Sequence, residues 1–189
     1  RIYSYGAARG QNAVPNEDLI EPIDSSDEWI RQRTGIITRV RADADTSAID
    51  LAADAAAEAI ERSGIPADKI DAVIVATISN PKQTPSVSAI VADRVGANPA
   101  AAYDLNAACA GFAYGVAQAD ALIRAGAAHY AVVIGTEKLS DVVDPTDRSI
   151  SFLLGDGAGA VVVGPSETPG IGPTIWGSDG SKADAVGMN

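Results

Sequence analysis

Three short apolar runs, separated by segments with the marks of helices, restrict the folds available to this chain. The runs occupy residues 72–77, 101–105 and 130–135, and each has the length and composition of a buried strand. Residues 86–95 and 111–125 lie between them, and each is followed by a glycine, which commonly ends a helix. Strands that alternate with helices predict an α/β domain built on a mostly parallel sheet with right-handed crossovers.

Patterns near the start of the chain predict further elements. Residues 1–6 have a strand pattern. Ser25 and Glu28 have the spacing of a capping box and predict a helix that ends at Gly35. Apolar residues recur at helical spacing across residues 46–64, which predicts a long helix.

The pattern is less regular after the third apolar run. Residues 149–154, 158–163 and 171–176 are strand candidates, and the Asp156-Gly157 step is a turn signal between the first two. Residues 155–159 resemble a glycine-rich phosphate loop, but such a loop needs a helix start after it. Because strand candidates flank these glycines instead, we interpret them as a tight structural turn.

Composition and charge exclude several classes of function. The net charge of −11 argues against binding to nucleic acid or to an anionic membrane. No apolar run approaches the ~20 residues that span a bilayer, and residues 1–10 lack the apolar centre of a signal peptide. The one Cys and one His argue against an intramolecular disulfide and a soft-metal site. We therefore expect a cytoplasmic protein without a metal.

The arginines at positions 33, 39 and 41 are interpreted as ordinary surface charge.

Cys109, the single cysteine, falls between a predicted strand and a predicted helix. The positive end of a helix dipole favours thiolate, and the free N–H groups of the first turn point at whatever the sulfur attacks. Our hypothesis is that Cys109 is a nucleophile that carries an acyl group. The alternative is a buried cysteine that acts as a small hydrophobe. The small neighbours Ala108, Ala110 and Gly111 suit either a substrate approach or tight packing.

Four motifs occur in the order and spacing of a known family. They are SSDEWI with RTGI at residues 25–36, ACAGF at 108–112, DPTDR at 144–148 and FLLGDGAGA at 152–160. Along nearly the whole chain, the sequence resembles the β-ketoacyl-acyl-carrier-protein synthase III family of the thiolase-like superfamily. The resemblance implies a layered αβαβα fold of two similar halves, of which residues 1–189 would supply the N-terminal domain.

The resemblance also implies an activity and partners. Members condense a short acyl-CoA with malonyl-acyl carrier protein and so initiate fatty acid or polyketide synthesis. They act as homodimers, with acyl-CoA as a substrate and no cofactor. Three further readings remain open: a related acyltransferase, an enzyme like hydroxymethylglutaryl-CoA synthase, and a half-fold that binds CoA or dimerises without turnover. A papain-like hydrolase is rejected because no suitable His is present.

The resemblance assigns roles to particular residues. Cys109 matches the acyl-carrying nucleophile, and its own N–H matches one oxyanion donor. Trp29 matches the tryptophan that stacks on the CoA adenine, and Arg33 and Arg148 match the arginines at the adenine and phosphate end. Thr84 and Leu154 match the acyl pocket, Thr84 by reaching into the pocket of a partner subunit.

The family completes its catalytic triad with a His and an Asn that lie beyond the matched region. His129 does not match the catalytic position and is expected at the surface, and Asn189 does not match either. We therefore expect a missing C-terminal half that carries both residues. Without it, the chain is expected not to condense.

Overall fold

The computed structural model describes residues 1–185, apart from the side chains of residues 183 and 184. Within this range the chain forms seven strands and four α-helices. The strands are β1 (Ile2–Arg9), β2 (Asn12–Pro15), β3 (Thr38–Arg41), β4 (Ala72–Ala76), β5 (Ala101–Leu105), β6 (Ala131–Lys138) and β7 (Asp156–Val163). The helices are α1 (Asp27–Thr34), α2 (Ala48–Ser63), α3 (Val87–Arg94) and α4 (Gly111–Arg124).

Five of the strands form one mixed sheet in the order β1-β7-β6-β4-β5. β4 pairs in parallel with β5 and β6, whereas β7 pairs antiparallel with β6 and β1. Four of the five strands therefore run in one direction. The expectation of a mostly parallel sheet is nevertheless wrong for β7, which runs antiparallel to both of its neighbours. The reason is the β6–β7 connection, which contains no crossover helix, so that β7 returns beside β6 in the opposite direction.

The sheet lies between two helical layers. α2 and α3 cover one face, and α4 covers β4 and β6 on the other. Successive side chains of β4 alternate between these layers: Val73 and Val75 pack under α2 and α3, and Ile74 packs under α4. All three are fully buried. In residues 1–185 no helix combines the length and the apolar character needed to cross a membrane.

The predicted strand at residues 149–154 and the predicted Asp156-Gly157 turn are both wrong. Residues 149–153 form successive turns, residue 154 has no regular structure, and Asp156 begins β7. The Asp156 carboxylate accepts hydrogen bonds from the N–H groups of Ala42 and Ser140, 2.8 and 3.0 Å away. These long-range contacts hold the residue in an extended conformation and override its local turn preference. Residues 171–176, also predicted as a strand, have no regular structure.

The predicted helices begin where expected, but the hydrogen bonds that cap them differ from the prediction. Ser26, rather than Ser25, caps α1 by accepting a hydrogen bond from the N–H of Trp29. The capping box lies instead at the start of α2, where the side chains of Ser47 and Asp50 each bond to the other's backbone N–H.

Two glycines let α4 lie directly on the sheet. A Cβ atom at Gly115 would lie 2.7 Å from Cγ1 of Val133, and one at Gly111 would lie 2.8 Å from Cβ of Ala76. Both separations are shorter than real Cβ contacts. The absence of these side chains therefore sets how closely the helix approaches β4 and β6, and with it the height of Cys109 above the sheet.

We predict that Gly115→Ala destabilises the fold by about 1–3 kcal/mol, because the added methyl overpacks the α4–β6 contact. The free energy of unfolding in urea measures the effect. Gly159→Ala is the matched control, since a Cβ atom at Gly159 would meet nothing within 4 Å. An unchanged free energy for Gly115→Ala would contradict the tight contact described above.

Candidate active site

Cys109 lies where the sequence predicts it, between β5 and α4. It sits in a single 3-10 turn, Ala108–Ala110, that leads directly into the helix. The preceding residue, Ala108, has a φ of +44°, which is uncommon for a residue other than glycine and is typical of strained functional turns. Cys109 is exposed in this structure. The alternative of a cysteine packed into the core is therefore wrong for the chain as described.

The first turn of α4 faces the same region as the thiol. Ala110, the N-cap residue, supplies no side-chain hydrogen bond to the helix start. Its methyl group cannot accept one, and the N–H of Gly111, the first residue of α4, donates instead to the carbonyl of Ala108 in the preceding 3-10 turn. N–H groups in the first turn of a helix stabilise negative charge that develops beside its N-terminus.

A cleft of about 400 Å³ opens beside Cys109 at the carboxyl edge of β4 and β6. Its lining is mostly small or apolar and comprises Ala76, Ile78, Ala108, Cys109, Phe112, Gly135, Thr136, Glu137, Leu139, Gly157, Ala158 and Gly159. Three glycines leave parts of the wall without side chains. This shape suits an aliphatic chain or a thioester held near the sulfur.

Glu137, the charged residue in this lining, is one that the sequence reasoning missed. It lies just after the apolar run at residues 130–135, where the predicted strand ends, but β6 extends through Lys138. A signal was available, because Glu137 follows the buried run 130–135 at the carboxyl end of a parallel strand. Ligand sites of α/β sheets lie at that edge.

The structure brings together three residues that the resemblance assigns to CoA binding. The guanidinium carbon of Arg33, one turn after Trp29 on α1, lies 4.1 Å from the centre of the indole ring. Arg148, from the β6–β7 connection, lies 5.2 Å from the same ring centre. The ring of Phe152 packs edge-on against the indole at 5.2 Å. Cation–π attraction holds both guanidinium groups beside the indole.

Two further arginines, Arg39 and Arg41, lie on β3. Arg39 is 6% exposed and donates hydrogen bonds to the carbonyl of Val14 and to the side chain of Asn16. The interpretation of Arg39 as surface charge is therefore wrong. Burial, with a smaller contribution from the neighbouring Arg41 charge, lowers the pKa of Arg39. β3 therefore carries one buried arginine, Arg39, and one partly buried arginine, Arg41.

Leu154 does not line the Cys109 cleft. It lines a separate cavity of about 60 Å³ together with Arg41, Val143 and Ser151. Leu139 borders both spaces. The small cavity therefore lies between the Cys109 cleft and the Trp29 cluster, since Phe152 follows Ser151 and packs against the indole.

Thr84 is exposed in the segment between β4 and α3 and lies outside the cleft. Its predicted place is in the pocket of a partner subunit, so that role stays a prediction.

His129 is exposed, as expected, and precedes β6. Its N–H donates to the carboxylate of Asp71. Since Cys109 follows the carboxyl end of β5 and both strands run in the same direction, the two residues lie at opposite edges of the sheet. Asn189 lies outside the described residues. Among the described residues, no three His, Cys, Asp or Glu side chains are grouped as a metal site requires.

Comparisons with known proteins agree with this arrangement. The family model for 3-oxoacyl-[acyl-carrier-protein (ACP)] synthase III matches residues 103–180. The chain is 60% identical to the β-ketoacyl-[acyl-carrier-protein] synthase III of Kocuria rhizophila, over 100% of this chain and 53% of that enzyme. It is 52% identical to the enzyme of Streptomyces glaucescens, over 98% of this chain and 56% of that enzyme.

The fold is similar to solved structures of the same kind. The priming β-ketosynthase of the R1128 polyketide biosynthetic pathway superposes with a TM-score of 0.95 at 41% identity, over 97% of this chain and 55% of that one. The expected thiolase-like fold is confirmed for the part that the chain covers. Along its whole length the chain is therefore similar to β-ketoacyl-acyl-carrier-protein synthase III enzymes, and it spans about half the length of the curated relatives it matches.

Proposed function

We propose that this chain is the part of a condensing acyltransferase that takes an acyl group from acyl-CoA onto Cys109. The enzyme as a whole would then condense that group with malonyl-acyl carrier protein and initiate fatty acid synthesis. The observation that carries the proposal is the position of the single cysteine, which is exposed at a helix start beside an apolar cleft.

The first step needs little beyond what surrounds Cys109. The thiolate attacks the thioester carbonyl, a new C–S bond forms, and the CoA thiolate leaves. One thioester replaces another, so the exchange is close to balanced in energy. Negative charge develops on the carbonyl oxygen, where the N–H of Cys109 would be one oxyanion donor.

The Trp29 cluster would hold the nucleotide end of CoA. Indole stacks on a purine, and guanidinium groups both stack and pair with phosphate. Arg33 and Arg148 are exposed, so their N–H groups are accessible to phosphate oxygens while their planes stay near the indole. Thr84 and Leu154 would shape the acyl pocket, Thr84 across a homodimer interface.

Condensation would need more than this chain. Loss of CO₂ from the malonyl thioester leaves an enolate, and the family stabilises that charge with a His and an Asn. We propose that a C-terminal segment supplies both, and that residues 1–189 form the N-terminal domain of a cytoplasmic, cofactor-free homodimer.

One structural similarity favours a second candidate function with the same chemistry. The R1128 enzyme is a priming β-ketosynthase of a polyketide pathway and superposes closely on this chain. Polyketide priming is therefore the second candidate. It differs in the fate of the product, while Cys109 keeps its proposed role.

Incubation of the chain with radiolabelled acetyl-CoA is expected to place the acetyl group on Cys109, as located by peptide mass spectrometry. Cys109→Ser is expected to abolish the label.

Trp29→Ala is expected to weaken CoA binding by about 1 kcal/mol, through loss of stacking, as measured by calorimetry. Trp176→Ala is the matched control, because Trp176 contacts Tyr114 and lies outside the arginine cluster. Equal effects of the two Trp variants would contradict the assigned CoA site.

Condensation gives a separate prediction. Removal of a single donor from an oxyanion site costs about 3 kcal/mol, or about a hundredfold in rate. The 189-residue chain alone, lacking the matched His and Asn, is therefore expected to form no acetoacetyl-carrier protein from acetyl-CoA and malonyl-carrier protein. Product measured above the rate without protein would show this prediction to be wrong.

A further inference from the structure

The segment that follows β4 is attached to the neighbouring strand through Glu137. One carboxylate oxygen of Glu137 accepts a hydrogen bond from the N–H of Ile78 at 2.9 Å. The other accepts from the N–H of Ser79 at 3.0 Å, from the Ser79 hydroxyl and from the Thr77 hydroxyl at 3.3 Å. The Ser79 hydroxyl in turn accepts a hydrogen bond from the N–H of Lys138. Residues 77–79 are therefore held to the end of β6.

The other end of the same segment is held by a second carboxylate. Asp104, on β5, accepts hydrogen bonds from the N–H groups of Val87 and Ser88 at 2.8 and 2.9 Å. These are the first residues of α3, where a carboxylate also complements the helix dipole. Residues 80–86, which carry Thr84, thus connect two anchored ends.

These contacts decide what Glu137 can do. Both of its oxygens accept hydrogen bonds from N–H and O–H donors, and these bonds orient the carboxylate toward residues 77–79. Glu137 itself lines the cleft, and it also holds the N–H of Ile78, a second lining residue beside Cys109. Loss of the carboxylate would release Ile78 and alter the space next to the sulfur.

We propose that Glu137 is a positioning residue that sets which acyl chains Cys109 accepts, by fixing Ile78 and the start of the segment carrying Thr84. This inference rests on the proposed acyl transfer and adds a determinant of acyl-chain selectivity to it. A displacement by the width of one methylene is enough to matter, because apolar pockets discriminate one methylene by about tenfold or more.

The test compares Glu137→Ala and Glu137→Gln with the unaltered protein at its full natural length. The first readout is the ratio of kcat/KM for hexanoyl-CoA and acetyl-CoA. We expect Glu137→Ala to change this ratio by about tenfold, the scale of one methylene. We expect Glu137→Gln to change it less, because the amide keeps the size and one acceptor oxygen.

The second readout does not depend on turnover. Cys109 is alkylated with N-methylmaleimide and N-hexylmaleimide, and the ratio of the two rates reports the space beside the sulfur. Glu137→Ala is expected to change this ratio in the same direction as the acyl-CoA ratio. If the unaltered protein takes no acyl group from any acyl-CoA, the proposed function fails, while the maleimide ratio still tests the positioning role.

Glu58→Gln is the matched control. Its carboxylate likewise accepts a backbone hydrogen bond, from the N–H of Ala7, but it belongs to α2 and lies outside the cleft. This variant is expected to leave both ratios unchanged. If Glu137→Ala lowers only the melting temperature, or changes the ratios no more than Glu58→Gln does, the residue has a structural role alone and the inference is overturned.

Discussion

The close contact of α4 with the sheet is the constraint on which the site depends. Because Gly111 and Gly115 present no Cβ atom, the helix lies directly against Ala76 and Val133. This contact places the turn that carries Cys109 at the carboxyl edge of β4 and β5. A helix held further out would open the space beneath the thiol, and the small residues along the cleft would no longer define a narrow wall. The catalytic proposal therefore depends on packing between apolar elements as much as on the cysteine.

The second part of the site is assembled from segments far apart in the chain. Trp29 and Arg33 come from α1, whereas Arg148 and Phe152 come from the β6–β7 connection. That connection is fixed by Asp156, whose carboxylate holds Ser140 on one side and Ala42 on the other. Asp156 and Glu137 each accept backbone N–H groups from segments outside the strands and α-helices and so help to order those segments.

Much of the fold could be predicted because its signals are local. Residues 101–105 form a strand with the predicted bounds, and α3 and α4 begin and end within a residue of their predicted limits. Continuous apolar runs and helix-ending glycines act over a few residues, so the sequence carries them directly. The turns at 149–153 and the extended Asp156 were mispredicted because their conformation comes from partners more than a hundred residues away, such as Ala42. Leu154, assigned to the acyl pocket by resemblance, lines a small cavity next to the Cys109 cleft in this chain, so that its role in the pocket stays a prediction.

The sequence by itself determined the alternation of strands and helices, the place of Cys109 between them, and the motifs that indicate the family. Those features depend on short-range preferences and on residue identity. Only the tertiary structure decided that β7 returns antiparallel, that both arginines meet the same indole, and that Glu137 holds the segment after β4. The physical reason is that hydrogen bonds and ring contacts between distant residues depend on strand order and on the closeness of packing. No short segment of the sequence determines the strand order or the closeness of packing.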